Sequence, residues 1–481
     1  MNSNKIIAAE AFKKFGPVNQ TCVDKEFQSE LQGLNRKIIV LDDDPTGVQT
    51  VHDIHVYTDW SVDSIEEGFK EDNSMFFILT NSRGFTSLET EKVHGEIARN
   101  ILKVSKKLKR EFIIISRSDS TLRGHYPLET NVLRETIEAN SGIRFNGEVI
   151  LPFFKEGGRF TIDSIHYVQE GEYLIPAGET EFAADKTFGY TQSHLGKWIE
   201  EKCHGEFRAE NFEYISHESI RNTDIDGIVK KLSGVDGFNK VVVDAVDYVD
   251  VEIFSIALIK AIKSGRNFMF RTAAAFTKVI GGIADRGLLL KKDLIKNGNG
   301  RHGGLIIAGS HVRKTTDQLE ELRNSSFVEF VEFNQHLVLE PDRIAAEVDR
   351  VVNICEGFIK AGKTVAVYTK RERLDIEDKN KEEELRISIK ISDAVTSIVQ
   401  KLSVRPDYII AKGGITSSDI GTKGLKVKKA LVAGQIKPGV PVWITGSESK
   451  FPGMPYIIFP GNVGARTTLR EAAEILACDI E

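Results

Sequence analysis

Short runs rich in β-branched and aromatic residues recur along this chain, and between them apolar positions return every three or four residues. The first pattern predicts strands at Lys37–Leu41, Ser74–Thr80, Glu111–Ser116, Glu148–Leu151 and Lys240–Asp244. It returns at Gly304–Ala308, Thr364–Tyr368, Tyr408–Ala411 and Tyr456–Phe459. The second pattern predicts amphipathic helices, among them Glu89–Leu108, Leu128–Ala139 and Ile253–Lys263. Strands separated by helix-length stretches suit crossover connections, so an α/β architecture with mostly parallel sheets is expected. The polar, glycine-rich stretch Lys296–Gly304 contains nothing that could pack a core, and is expected to divide the chain into domains 1–300 and 301–481. Lys370–Arg386, dense in both charge signs, is expected as an exposed loop running into a helix, and the apolar residues around Phe268–Phe276 as core. There is no internal repeat.

Composition narrows the class. A chain of 481 residues exceeds one ordinary core and suggests about two or three domains. With 41% hydrophobic and 28% charged residues it reads as a soluble globular protein, and a net charge of −6 gives no reason to expect nucleic acid or an anionic membrane as partner. No apolar run approaches the roughly 20 residues needed to span a bilayer, and the first residues lack a secretory pattern. Cys22, Cys203, Cys355 and Cys478 lie far apart without metal-ligand spacing. They are expected to be reduced thiols of a cytoplasmic protein.

The densest chemistry lies at residues 37–47, where an apolar run ends in Asp42, Asp43, Asp44, Pro45, Thr46 and Gly47. A buried strand that ends this way delivers carboxylates to the sheet edge where open α/β folds bind ligands. Three adjacent carboxylates need compensation from cations, donors or water, which suggests a metal, a hydroxylated substrate, or both. Other strands are followed by matching loops: Thr80-Asn-Ser-Arg83, Asp119-Ser120-Thr-Leu-Arg123-Gly-His125, and Gly157-Gly158-Arg159. Guanidinium groups there suit a carboxylate or phosphate, because the fork pairs bidentately with planar anions.

Loops in the second half carry glycine and hydroxyl groups instead. Gly309-Ser310 follows one strand, Lys412-Gly413-Gly414-Ile415-Thr416-Ser417 another, and Gly461-Asn462-Val463-Gly464 a third. Glycine lets backbone amides approach an oxyanion, so this edge suits a nucleotide's phosphates. Gly357–Thr364 matches the Walker A pattern by letter, but the order is reversed, with a helical pattern over Ala345–Lys360 before it and a strand after it. Gly362 is therefore expected to end a helix, with no phosphate role.

Taken in order, these loops resemble the four-carbon acid sugar kinase family, over roughly Arg36 to Arg470. The family's Ala-Asp-Asp-Leu-Thr-Gly corresponds to Asp42–Gly47, with Asp42 in place of alanine and Pro45 in place of leucine. Its Asp-Ser-Thr-x-Arg-Gly-Asn corresponds to Asp119–His125, with His125 in place of asparagine. Gly158-Arg159 and His166-Tyr167-Val168 match its Gly-Arg and His-Tyr-Val elements. Gly309-Ser310 with Thr315 or Thr316 and Gln318, Gly413–Thr416, Pro438–Pro441 and Gly461–Gly464 match those of the second half.

The resemblance implies an N-terminal sugar-acid-binding domain and a C-terminal nucleotide-binding domain, with the active site in the cleft between them. It implies ATP-dependent phosphorylation of a small sugar acid such as threonate, erythronate or 3-oxo-tetronate, or a branched relative. Asp43 or Asp44 would deprotonate the attacking hydroxyl. Arg83 and Arg123 would hold the carboxylate, with Asp43, Asp119, Ser120, Gly158 and Arg159 completing the substrate site. Ser310, Gly413, Gly414, Thr416, Gly461, Asn462 and Gly464 would bind ATP, Mg²⁺ would travel with it, and metal-binding side chains are left unassigned. A homo-oligomer remains open. Two rivals stand beside this reading. Asp42-x-Asp44-x-Thr46 fits the signature of haloacid-dehalogenase-like phosphatases, whose first Asp is a nucleophile. A non-catalytic sugar-acid sensor would keep the pocket without the chemistry.

Overall fold

The computed structural model describes residues 4–295, 302–310, 312–372, 374, 381–461 and 463–478. The chain forms two compact units, Met1–Val51 with Asp59–Asp285, and His52–Thr58 with Arg286–Glu481. The second unit thus begins before the glycine-rich stretch expected to separate 1–300 from 301–481, and it takes in a segment from the first half. Of that stretch, residues 296–301 lie outside those described, as do 373 and 375–380 of the charged loop.

The first unit is built on a parallel sheet. Its strands lie in the order Glu213–Ile215, Asn239–Val243, Gly147–Leu151, Phe268–Thr272, Phe112–Arg117, Lys37–Asp42 and Met75–Leu79. Every residue of Lys37–Asp42, Met75–Leu79 and Phe112–Arg117 is buried. That is why they read as continuous apolar runs: helices cover both faces of a parallel sheet, and no position is left for water. The register fixes where the chemistry goes. Asp42 pairs with both Leu79 and Arg117, and Thr272 pairs with Arg117 and Leu151. Successive loops therefore leave the sheet at one carboxyl edge. The helix Ser87–Leu108 starts beyond one of them with a capping box between Thr86 and Glu89. A four-stranded antiparallel sheet, ordered Ile6–Ile7, Tyr173–Pro176, Ile165–Glu170 and Arg159–Ile162, carries Arg159 at the start of its last strand.

The second unit has strands ordered Ile54–Tyr57, Lys429–Lys437, Val440–Thr445, Pro455–Phe459, Ile409–Lys412, Leu305–Ala308, Thr364–Thr369 and Val328–Phe333. The last five are mutually parallel and the first three join antiparallel. Its core packs Ile306, Ile410, Ile457, Leu469 and Ala472 around the parallel strands. The helix Pro341–Lys360 runs up to Gly362, whose φ of +76° turns the chain into the strand Thr364–Thr369. Lys363 pairs with Glu329 at 2.6 Å, and the order of helix then strand is the reverse of that in a phosphate-binding loop.

All nine expected strands are present to within a residue or two. Missing from the expectation were the strands Ile54–Tyr57, Glu213–Ile215, Phe268–Thr272 and Val328–Phe333 and the antiparallel hairpins. The stretch around Phe268–Phe276 is core as expected, a buried strand followed by the buried helix Ala274–Ile280. Among the described residues no helix is long and apolar enough to cross a membrane.

Candidate active site

At the carboxyl edge of the first unit's sheet, the three consecutive carboxylates separate into different environments. Asp42 ends its strand fully buried, and Arg117 Nη1 donates to its Oδ1 at 3.0 Å. Among the described residues its Oδ2 has no hydrogen-bond partner, and it faces Gly47, where the Cβ of any other residue would sit 2.0 Å away. Only glycine lets the turn close over this carboxylate. Burial pushes Asp42 up to about 7, with Arg117 opposing.

Asp43 is also buried. Its Oδ1 lies 3.2 Å from Arg83 Nη2 and 3.4 Å from Arg117 Nη1, and its Oδ2 accepts from the Asp119 amide at 3.2 Å. Burial raises it to about 6 against the pull of both arginines. Asp44 also experiences burial, but Arg83 at 2.9 Å and the Thr46 hydrogen bonds outweigh it, leaving the carboxyl below its ordinary value. One turn thus holds two carboxyls raised by burial, Asp42 and Asp43, beside Asp44, which is held below its ordinary value.

The neighbouring loops lock onto this turn. Arg83 also lies 4.0 Å from Asp119, and Asp119 accepts from Arg123 Nε at 2.7 Å and from Thr121. Its carboxyl is held well below the usual range, because Arg83 and Arg123 outweigh burial. Arg271, buried in the strand Phe268–Thr272, donates to the carbonyls of Asp119 and Arg123. His125 Nε2 donates to the Phe85 carbonyl at 3.0 Å, tying its loop to that of Arg83. His166 Nε2 donates to the Ser120 carbonyl at 2.8 Å while Thr161 bonds its other nitrogen. Burial lowers His166 to about 4, so it is a neutral strut at physiological pH.

Arg159 differs from the other arginines. It follows Gly158, whose φ is +71°, and its guanidinium lies 5.6 Å from the Phe182 ring. Arg123 lies over the same ring at 5.0 Å. Among the described residues Arg159 has no side-chain hydrogen bond or ion pair, and its Nε is buried without a partner. Burial holds its pKa below the ordinary arginine value, with Asp119 opposing.

The second unit brings its glycine loops together in the same manner. A Cβ at Gly309 would lie 2.7 Å from Thr416 Oγ1, and one at Gly413, whose φ is +120°, would lie 3.3 Å from Ser310 Cβ. Gly461 approaches the Gly413 Cα. Ser310, Gly413, Thr416 and Gly461 therefore share one edge, with Gly414 opening the short helix that holds Thr416. Gly464 packs on Thr468. Gln318 donates to the carbonyls of Val463 and Ala465, at 3.2 and 2.8 Å, and shapes that loop. Asn462 lies outside the described residues.

Of the first-unit residues expected from sequence, Asp43, Asp44, Arg83, Asp119, Ser120 and Arg123 come together in one network of loops, while Arg159, following Gly158, meets it through the Phe182 ring it shares with Arg123. Sequence reasoning missed Arg117, Arg271 and Phe182 there, and Arg371 and the role of Lys412 in the second unit. A basic residue ending an otherwise apolar strand was the available signal for Arg117 and Lys412. Among the described residues no group of three or more His, Cys, Asp or Glu side chains is arranged to hold a metal ion.

Comparison with known proteins adds the family. Residues 38–280 match the model of a sugar-binding N-terminal domain, and residues 305–469 that of a nucleotide-binding C-terminal domain. The fold is similar to that of Haemophilus influenzae protein HI1011, of family DUF1537, with TM-score 0.59 and 15% identity, covering 91% of this chain and 100% of that one. It is also similar to a Salmonella typhimurium LT2 protein proposed as a tRNA synthase, with TM-score 0.63 and 16% identity, covering 91% and 98%. At such identities the likeness concerns fold alone. No curated protein matches the chain.

Proposed function

Because this chain belongs to the four-carbon acid sugar kinase family, we propose that it transfers the γ-phosphoryl group of ATP to a hydroxyl of a small sugar acid. The observation that carries the acid is Arg159. Arg83, Arg117 and Arg123 are each committed to aspartates, whereas Arg159 is a partly buried cation with no anion of its own among the described residues. A buried charge needs a partner, and a substrate carboxylate supplies one. Arg123, sharing the Phe182 ring, stands beside it as a second contact.

Asp119 and Asp44, both firmly ionised, accept hydrogen bonds from substrate hydroxyls. Asp43 is the general base, since a carboxyl raised to about 6 takes a proton more readily than one held below its ordinary value. The hydroxyl oxygen forms a bond to the γ-phosphorus as the bond to the β-phosphate oxygen breaks. The proton passes to Asp43, and ADP leaves. Such transfer depends mainly on positioning and charge neutralisation. Mg²⁺ would be held chiefly by the nucleotide's phosphates and water. The glycine-lined edge of Ser310, Gly413, Gly414, Thr416, Gly461 and Gly464 holds the triphosphate, in keeping with the nucleotide-binding domain that this half matches.

The phosphatase rival requires Asp42 as an accessible nucleophile, and Asp42 has one oxygen held by Arg117 while the turn at Gly47 closes over the other. The test is ADP release measured across four-carbon and branched sugar acids, each beside its neutral amide. Acids alone should stimulate release. Equal stimulation by the amides would refute the assignment of Arg159, and stabilisation by an acid with indifference to ATP would favour a sensor.

A further inference from the structure

Among the described residues, the second unit holds two cations, Lys412 and Arg371, that touch no carboxylate. Lys412, last residue of the strand Ile409–Lys412, is completely buried. Its Nζ donates to the carbonyls of Pro460 and Gly461, at 2.6 and 3.0 Å, and lies 4.4 Å from the Phe459 ring centroid. Arg371 follows the strand Thr364–Thr369. It donates to the Ser310 carbonyl at 2.7 Å, and its Nε and Nη2 reach Thr316 Oγ1 at 3.2 and 2.7 Å. Among the described residues neither is in ion-pair contact with a carboxylate, unlike the paired arginines of the first unit.

Both reach the loops that carry Gly309, Gly413 and Gly461. Lys412 is the residue before Gly413, and its ammonium grips the turn that carries Gly461 against the Gly413 backbone. Arg371 grips Ser310 from the other side. A cation buried without an anion beside it is costly unless something anionic arrives; Lys412 is completely buried and Arg371 partly so. Hydrogen bonds to carbonyls satisfy their donors but leave their charge unbalanced.

We propose that Lys412 and Arg371 are the charge-matching cations of the nucleotide site, Arg371 as a direct phosphate ligand and Lys412 as a positioning residue that joins the two glycine loops beneath the phosphates. This rests on the nucleotide reading above and adds residues and a consequence to it. Burial lowers Lys412 to about 7, and the charged group facing it from the helix Arg313–Leu322 is Lys314, which lowers it further. A polyphosphate settling above Lys412 reverses that balance. At pH 8, where much of Lys412 is neutral, nucleotide binding is therefore accompanied by proton uptake.

The test is calorimetric titration of the full chain with a non-hydrolysable ATP analogue plus Mg²⁺, with ADP, and with adenosine, in two buffers of different ionisation enthalpy at pH 8. Wild type should prefer the ATP analogue to adenosine and take up a fraction of a proton with it. Arg371→Met should lose about ten- to a hundred-fold of that preference, the range of a charge-assisted hydrogen bond, and Lys412→Met a smaller part of it, with adenosine affinity little changed. Lys412→Met should also abolish the uptake, and Arg371→Lys should recover part of the loss. Equal weakening of adenosine and ATP analogue would mean a merely structural role and overturn the proposal. If Lys412→Met does not fold, the wild-type proton count and Arg371→Met decide, and absent uptake with an unchanged preference overturns it. Wild type binding the analogue while both variants behave like it would sink this inference alone; wild type binding no nucleotide would sink the kinase reading as well.

Discussion

Replacing Arg117 with methionine removes the cation that two buried carboxylates share. Arg117 Nη1 lies 3.0 Å from Asp42 and 3.4 Å from Asp43, and all three side chains are buried. Breaking a buried pair by deleting one partner costs about 3–5 kcal/mol, because the remaining charge is left without compensation. At about 2–4 °C per kcal/mol for a unit of this size, the melting temperature at pH 8 should fall by roughly 6–20 °C.

The loss should depend on pH in a definite direction. In the folded protein Asp42 and Asp43 stand at about 7 and about 6, above the ordinary 3.8. The folded state therefore binds more protons than the unfolded state between those values. The stability these groups contribute is complete below about pH 4 and is lost as pH rises through 6 to 7. Without Arg117 both carboxyls move higher, so the deficit is small near pH 5 and largest at pH 8. Adding Asp42→Asn to Arg117→Met should recover part of it. The assay is thermal or urea unfolding of wild type, both single variants and the double variant at pH 5 and pH 8. A deficit under 2 °C at pH 8, or one that grows toward acid, would refute the reasoning.

Three further outcomes follow from the same residues. Asp43→Asn should lower kcat by about 10²–10⁴-fold, the usual contribution of general-base catalysis, and by more than Asp44→Asn does; near-wild-type turnover in both would remove the base assignment. The pH profile of wild-type kcat/KM should fall on the acid side with an apparent pKa near the value of about 6 at Asp43, and that limb should vanish in Asp43→Asn. Arg159→Gln should raise KM for the acid about ten- to a hundred-fold with a smaller change in kcat, and should narrow the preference for acid over amide, both measurable by ADP release.

Much of this was legible in the sequence because parallel strands buried on both faces leave unbroken apolar runs. Their loops then announce themselves by an abrupt switch to Asp, Arg and Gly, as at Leu41 to Asp42 and Ala411 to Gly413. The strand Ile54–Tyr57 was not legible, because four residues interrupted by His55 carry little periodic signal, and its partner Lys429–Lys437 is distant in sequence. Pairing among charges was equally hidden. The sequence displays Arg83, Arg123 and Arg159 as equals, and only their neighbours reveal that two are paired with aspartates while the third, among the described residues, is not. Arg117 escaped notice because a strand-terminal arginine looks solvated until the register places it opposite Asp42. The separation of Asp42, Asp43 and Asp44 into different protonation regimes depends on burial and arginine contacts that adjacency alone conceals.

Phosphorus NMR of the full chain incubated with ATP, Mg²⁺ and the sugar acid that stimulates ADP release most would settle what the protein makes. A phosphate monoester of the acid should grow in step with ADP, with little free phosphate. Free phosphate in place of the monoester, or ADP formed equally well without any acid, would contradict the transfer proposed for Asp43 and its neighbours.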